Sequence, residues 1–136
     1  MEYSVEVRRR FAAALAVRRC IPAGCEICTS AEAEDRTLGV WARAHIGISN
    51  GRIVAAQFDV WGCPDTIAAA DLAAERLRGV LLEDFRGLDA RAMAQELDVP
   101  TQKLGKLLRL EDAALAAAAA AREQIEKGID NGSITH

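Results

Sequence analysis

Two runs of alternating apolar and polar residues, joined by Asn50-Gly51, constrain the fold of this chain more than any other feature. Asn-Gly between two such runs is the strongest short-range signal for a β-hairpin. The second run extends from Ile53 to Trp61. In the first run the apolar residues recur at every second position, the period of a half-buried strand: Val40, Ala42, Ala44, Ile46 and Ile48. We therefore predict an antiparallel hairpin over residues 40–61.

Helix signals lie on both sides of this hairpin. The residues from Tyr3 to about Arg19 have helical spacing, with Arg8, Arg9 and Arg10 on a face that we expect to be solvated. A docking patch for an acidic protein is the less favoured interpretation of these arginines. The segment from Cys20 to Arg36 contains Pro22 and Gly24 and no clear period, which predicts a loop.

Three more helices are predicted after the hairpin, and the capping residues define where each begins. The first runs from Pro64 to about Arg78, the second from Ala90 to Leu97 after an N-cap at Asp89, and the third from Pro100 to Gly128, with a loose tail after Asp130. The third has an apolar stripe of Leu104, Leu107, Leu108 and Leu115. The predicted fold class is α+β, a small antiparallel β-sheet packed on helices, in a single domain over residues 1–136.

Composition narrows the classes of function. A net charge of −3 over 136 residues argues against a nucleic-acid surface, and no apolar run is long and bulky enough for a bilayer. Met1-Glu2-Tyr3 opens no signal peptide, so we expect a cytoplasmic protein. In that compartment its four cysteines would stay reduced, as metal ligands or sulfur carriers.

One cysteine stands where a strand meets a helix. Cys63 follows Gly62 at the end of the second alternating run and precedes Pro64, which suits the first position of a helix. The free N–H groups and positive dipole end of such a helix favour negative charge on sulfur. We therefore expect Cys63 to be the most reactive thiol of the metal-free chain.

The segment from Phe58 to Ala70, the segment from Ala94 to Pro100 and Leu110-Glu111-Asp112-Ala113 carry a resemblance to a known family. They resemble the U-type iron–sulfur cluster scaffolds, IscU and the N-terminal domain of NifU. The resemblance implies the IscU/NifU-like fold, and a protein that holds and transfers a labile cluster without turnover of its own. It also implies a cysteine desulfurase and cluster-recipient proteins as partners. The family's chaperone-recognition segment is replaced here by residues 99–103, so an Hsp70-type chaperone is a doubtful partner.

The family's cluster ligands come from three places, and only one of them keeps a ligand here. The Gly-Cys position of the family matches Cys63. The family's Ala-Cys-Gly-Asp motif falls on Thr37-Leu38-Gly39-Val40, and its His-Cys pair falls on Gly105-Lys106. Neither place offers a suitable cluster ligand.

A second group of cysteines suggests a relocated ligand set. Cys20, Cys25 and Cys28 form a C-x₄-C-x₂-C run, and with Cys63 the order of spacings is that of a plant-type [2Fe–2S] site. We predict that the four thiolates converge on one centre, most favourably an iron–sulfur cluster. A structural zinc site made by the same thiolates is the alternative. The remaining interpretation of the three loop cysteines is inert burial.

Two other functional classes to compare are a regulatory paralogue and a classical enzyme. A paralogue that has lost cluster assembly and regulates the desulfurase would also explain the missing His-Cys pair. A classical enzyme is disfavoured, because no nucleophile–base dyad or phosphate loop is present, and Asp65 and Asp71 fit capping and solvation. His45, like Asp65, could replace a thiolate at zinc, although it fits an ordinary exposed strand residue better. Trp61 is expected to pack in the core or shield the cysteine.

Overall fold

A three-stranded antiparallel sheet in the order β1-β2-β3 forms one layer of the computed structural model. The structure describes residues 4–16 and 25–135, with side chains for residues 4–10 and 25–127. The elements are α1 (Val5–Ala16), β1 (Ile27–Asp35), β2 (Val40–Ser49), β3 (Arg52–Trp61), α2 (Pro64–Leu77), α3 (Ala90–Leu97) and α4 (Leu104–Thr135), with short 3₁₀ turns at Leu82–Asp84 and Thr101–Lys103. This confirms the predicted α+β class.

The predicted hairpin is β2 and β3. Asn50 and Gly51 both have positive φ, 54° and 75°, as a two-residue hairpin turn requires. The strands pair from Ser49 opposite Arg52 to Trp41 opposite Trp61, with a register shift at Gly47/Ile48. The inward side chains of β2 are buried as the alternation predicts.

The prediction of a loop from Cys20 to Arg36 is wrong over its second half, where β1 pairs with β2 along its whole length. After Ile27, its inward positions are Thr29, Ala31 and Ala33, small side chains that give weak apolar contrast. The Thr29 hydroxyl donates a hydrogen bond to the carbonyl of Ala117 in α4, at 2.8 Å. That bond satisfies a buried polar group and ties the strand to the helix.

The core lies between the sheet and the helices, and alanine dominates the helical side of it. Buried alanines of α2 and α4 allow close approach of helix and sheet: Ala68, Ala69, Ala73, Ala113, Ala117, Ala118 and Ala121. Leu107 and Leu110 are also fully buried, whereas Leu108 is 36% exposed, so Leu108 was wrongly included in the apolar stripe. The helix also continues through Gly128 to Thr135, so the end at Gly128 and the loose tail are wrong.

Helix α1 lies against α2, and one arginine joins them. Arg10 is buried and bonds to Asp71 at 2.9 Å and Glu75 at 2.8 Å, both on α2, as well as to Glu6 on its own helix. The hydrogen bond from Arg10 lowers the pKa of Glu75. The expected solvated face therefore does not include Arg10, and Asp71 is an ion-pair partner rather than a solvated residue.

Candidate thiol site

Cys63 occupies the junction that the sequence predicts. It is the N-cap residue of α2, with φ −83° and ψ 168°, and Pro64 follows at the first position of the helix. Its sulfur lies 3.4 Å from the Thr66 hydroxyl oxygen. A side chain at Gly62 would come within 3.3 Å of Thr66 Cβ, so glycine permits this tight turn.

The ammonium groups of Lys103 and Lys106, at the beginning of the last helical segment, also lie near the Cys63 thiol. The Nζ atom of Lys106 lies 3.7 Å from the Cys63 sulfur and donates a hydrogen bond to it. Burial by itself raises the pKa of Cys63, but the Thr66 hydroxyl and backbone N–H, together with the charges of Lys103 and Lys106, outweigh it, and the pKa is lowered. A thiolate at Cys63 is therefore favoured, and we refer to Cys63, Thr66, Lys103, Lys106 and Asp65 as the Cys63 site.

Asp65 and Lys103 form a buried ion pair beside the thiol. Their closest atoms are 2.5 Å apart, and the two side chains are only 3% and 12% exposed. The expectation that Asp65 is a solvated capping residue is wrong for this reason. An aspartate held by an ammonium group is not available to replace a thiolate at zinc.

The three places where the family has ligands come together in the fold. Lys106 touches Cys63, and a Cβ atom on Gly105 would lie 2.8 Å from Leu38 Cδ1, in the turn between β1 and β2. The three positions in this chain that match the family's ligand positions therefore lie close together in the structure. That location contains one thiol, an ammonium group, an ion-paired carboxylate and an apolar side chain.

Cys25 and Cys28 lie at the other end of the sheet. Cys28 pairs with Gly47, whereas Cys63 follows the strand end at which Trp61 pairs with Trp41. The six residue steps from Trp41 to Gly47 span about 20 Å of extended strand. The structure therefore does not bring these two cysteines together with Cys63, and Cys20 lies outside the described residues.

Cys25 and Cys28, just before and within the start of β1, are neighbours of one another. Partial desolvation, followed by the adjacent Cys28 thiol, raises the pKa of Cys25. Glu26 between them accepts a hydrogen bond from the backbone of Asn50 at 3.3 Å, which ties this segment to the hairpin turn. Cys28 is exposed. Cys25 is therefore a poorer nucleophile than Cys63 near neutral pH.

The remaining candidates lie on the face of the sheet away from the helices. His45 Nε2 lies 2.7 Å from Asp59 Oδ2, so this histidine has a partner on the neighbouring strand. Trp41 donates its indole N–H to Glu32 at 3.2 Å. Trp61 is 72% exposed, so the expectation that it packs in the core is wrong.

The donor atoms of the Cys63 site do not fit a metal or a cluster held by this site alone. Within the described ranges, no group of three or more His, Cys, Asp and Glu side chains is placed to hold a metal ion. An ammonium group next to the thiolate opposes a cation there. The arrangement instead provides one activated thiolate with a positive neighbour, which suits nucleophilic attack on sulfur.

Two of these features were not anticipated as functional. Lys106 was considered only as a position that lacks a ligand, and Thr66 was not considered. The spacing of Cys63 and Thr66 within the first turn of a helix could have indicated their contact. The separation of 43 residues between Cys63 and Lys106 carries no local signal.

The fold and the site together define a class of small α+β proteins with a thiol at a strand-to-helix junction. The chain belongs to the family described as the NifU-like N terminal domain, whose model matches residues 25–127. No helix of the described part is long and apolar enough to cross a membrane.

Individual relatives agree with this membership. The chain is 35% identical over 82 residues to the iron–sulfur cluster assembly enzyme IscU of Drosophila melanogaster, covering 60% of this chain and 53% of that protein. It is 34% identical over 79 residues to the iron–sulfur cluster assembly scaffold protein IscU of Rickettsia prowazekii (strain Madrid E), covering 58% and 60%. The chain thus spans a little over half the length of these curated relatives.

A solved structure has the same fold. It is that of a proposed iron–sulfur cluster assembly scaffold protein for the SUF system from Fervidobacterium islandicum AW-1. The TM-score is 0.64 at 14% identity, over 85% of this chain and 96% of that one.

Proposed function

We propose that this chain works in iron–sulfur cluster assembly and that Cys63 is the residue that accepts sulfur for it. The observation that carries the proposal is the position of Cys63 at the N-terminus of α2 with the Lys106 ammonium 3.7 Å from its sulfur. Membership of the NifU-like family and relatives named as cluster assembly proteins support the assignment to this process. The partners are then a cysteine desulfurase and a protein that receives the sulfur or the cluster.

The chemistry is a transfer between thiols and not a turnover of substrate by this chain. The Cys63 thiolate attacks the outer sulfur of a persulfide on the desulfurase, the donor thiolate leaves, and Cys63 becomes the persulfide. Sulfur carries negative charge before and after the transfer. The helix N-terminus and Lys106 therefore stabilise both states.

The test is sulfur transfer from a cysteine desulfurase supplied with cysteine, followed by mass spectrometry of the intact chain and its peptides. We expect one added sulfur on Cys63 in the wild type and in Cys28→Ser, a matched control because Cys28 is exposed and at the other end of the sheet. Cys63→Ser should acquire none. Sulfur found on Cys25 or Cys28 with Cys63 unmodified would refute the proposal.

The relocated ligand set stays a prediction that can be tested on the same variants. A specific observation favours metal binding near the start of β1, namely that Cys25 and Cys28 are neighbours. If Cys20, Cys25, Cys28 and Cys63 hold one [2Fe–2S] cluster or one zinc ion, Cys25→Ser and Cys63→Ser should each abolish binding after anaerobic reconstitution. Loss in Cys25→Ser alone would separate the loop from Cys63. A chain that takes up neither sulfur nor metal would fit the paralogue that regulates the desulfurase.

A further inference from the structure

Lys106 is the least explained group of the Cys63 site. In the described residues it makes no ion pair, and its hydrogen bond is to the Cys63 sulfur. Lys103, one helical turn earlier, is instead bonded to Asp65. The thiol therefore faces a positive charge that no carboxylate of the described part of the chain neutralises by direct pairing.

The surroundings increase the effect of this charge. Both Cys63 and Lys106 are half-buried, and Leu38 packs against the backbone of Gly105, next to Lys106 in the chain. An apolar neighbour lowers the local dielectric, so the attraction between the ammonium group and an anion is stronger than in bulk water. The N-terminus of α2, a helix of 14 residues, adds further positive potential at the sulfur.

We propose that the Cys63 site takes sulfur directly from a small anionic sulfane-sulfur donor, of which thiosulfate is the simplest, with Lys106 as the residue that positions the anion. This inference rests on the proposed function, in that Cys63 is the sulfur acceptor, and it adds a second class of donor that is not a protein. It also assigns Lys106 a role as a positioning residue.

The step balances without an oxidant or a reductant. The Cys63 thiolate attacks the outer sulfur of thiosulfate, and a new S–S bond forms. The bond between that sulfur and the sulfonate sulfur breaks, and sulfite leaves with the electron pair. Cys63 then carries a persulfide anion. Lys106 contributes because the thiolate and a dianion repel each other as they approach, and the ammonium group offsets that repulsion.

A first experiment measures the local field with two alkylating reagents of nearly equal size. Iodoacetate is an anion and iodoacetamide is neutral, so the ratio of their rates at Cys63 reports the positive potential there and cancels changes in thiol reactivity that affect both. We expect Lys106→Met to lower the ratio by at least about tenfold, the factor that corresponds to one pKa unit of interaction. Lys106→Arg, which keeps the charge, should restore most of it. An unchanged ratio in Lys106→Met would overturn the role of Lys106.

A second experiment offers thiosulfate to the full chain and measures released sulfite and the added sulfur on Cys63. We expect transfer in the wild type, a rate that falls as ionic strength rises, and a loss of at least about tenfold in Lys106→Met. The salt dependence requires no variant, so it tests the inference even if Lys106→Met fails to fold. A rate independent of salt would contradict it.

The desulfurase reaction separates this inference from the proposed function. A wild-type chain that accepts sulfur from the desulfurase but none from thiosulfate overturns the inference and leaves the function. A chain that accepts sulfur from neither overturns both.

Discussion

Replacing Leu107 with alanine should destabilise the fold more than almost any other single truncation in α4. Leu107 is fully buried, and the change removes the three outer carbon atoms of its side chain, about 2.4 kcal/mol of transfer free energy at about 0.8 kcal/mol for each group. The remaining cavity brings the loss to about 2–5 kcal/mol. Because the helical side of the core is rich in alanine, few side chains have the rotamer freedom to fill the cavity. We therefore expect the upper half of that range.

The assay is urea unfolding followed by circular dichroism. With an m value of about 2 kcal/mol/M, the upper half of that range lowers the midpoint by roughly 1.8–2.5 M. Leu108→Ala is the matched control, because the same truncation one residue later removes a side chain that is 36% exposed. Its cost should be about 1 kcal/mol or less. If Leu108→Ala is as destabilising as Leu107→Ala, the buried face of α4 has been assigned incorrectly.

Two further predictions follow from the titrating groups. Cys63 should react with iodoacetamide faster than Cys25 or Cys28, and should stay reactive at lower pH, because its pKa is lowered while that of Cys25 is raised. Peptide mapping of samples alkylated over a pH series measures these rates. An unreactive Cys63 beside a reactive Cys25 would contradict the prediction. Burial, followed by the charges of Asp112 and Asp89, raises the pKa of Glu111, so ionising this side chain costs stability as pH rises above about 4. Glu111→Gln should therefore stabilise the protein at pH 7, with a gain that disappears below about pH 4, and a gain that is equal at both pH values would mean that charge is not its cause.

The hairpin and the caps could be predicted because their signals are local. Asn50-Gly51 determines a turn with positive φ at both residues, and Asp89 caps α3 through the backbone N–H of Ala92 at 3.0 Å. Strand β1 is different, because after Ile27 its inward residues are small and its outward residues polar. It is a strand because β2 and α4 provide partners for it, which a pattern along the chain does not reveal.

The errors in α4 have two physical causes. The buried stripe continues from Leu107 and Leu110 into alanines such as Ala114, so the leucines alone did not define its limits and Leu108 was wrongly included. Glycine inside a helix costs only about 1 kcal/mol relative to alanine, so Gly128 does not end a helix of 32 residues.

Only the part of the Cys63 site at the start of α2 could be predicted in the same way. The helix start at Pro64 indicated the environment of Cys63, since both belong to one turn of chain. The contact with Lys106 could not be derived from spacing, because packing of α4 against the sheet brings it there. The resemblance to the family matched Gly105-Lys106 to a position beside Cys63. It indicated only that these two residues are not cluster ligands, and not that Lys106 contacts the thiol.

Strand β1 is an outer strand of the sheet, and this position has a consequence for how the protein avoids associating with copies of itself. An outer strand presents unpaired backbone groups that another chain can extend into a continuous sheet. Here the strand carries Glu32 and Glu34 as exposed side chains and ends at Asp35. Two such strands side by side would bring like charges together without a compensating apolar surface. Glu32 and Glu34 therefore oppose edge-to-edge pairing of β1 between two copies of the chain.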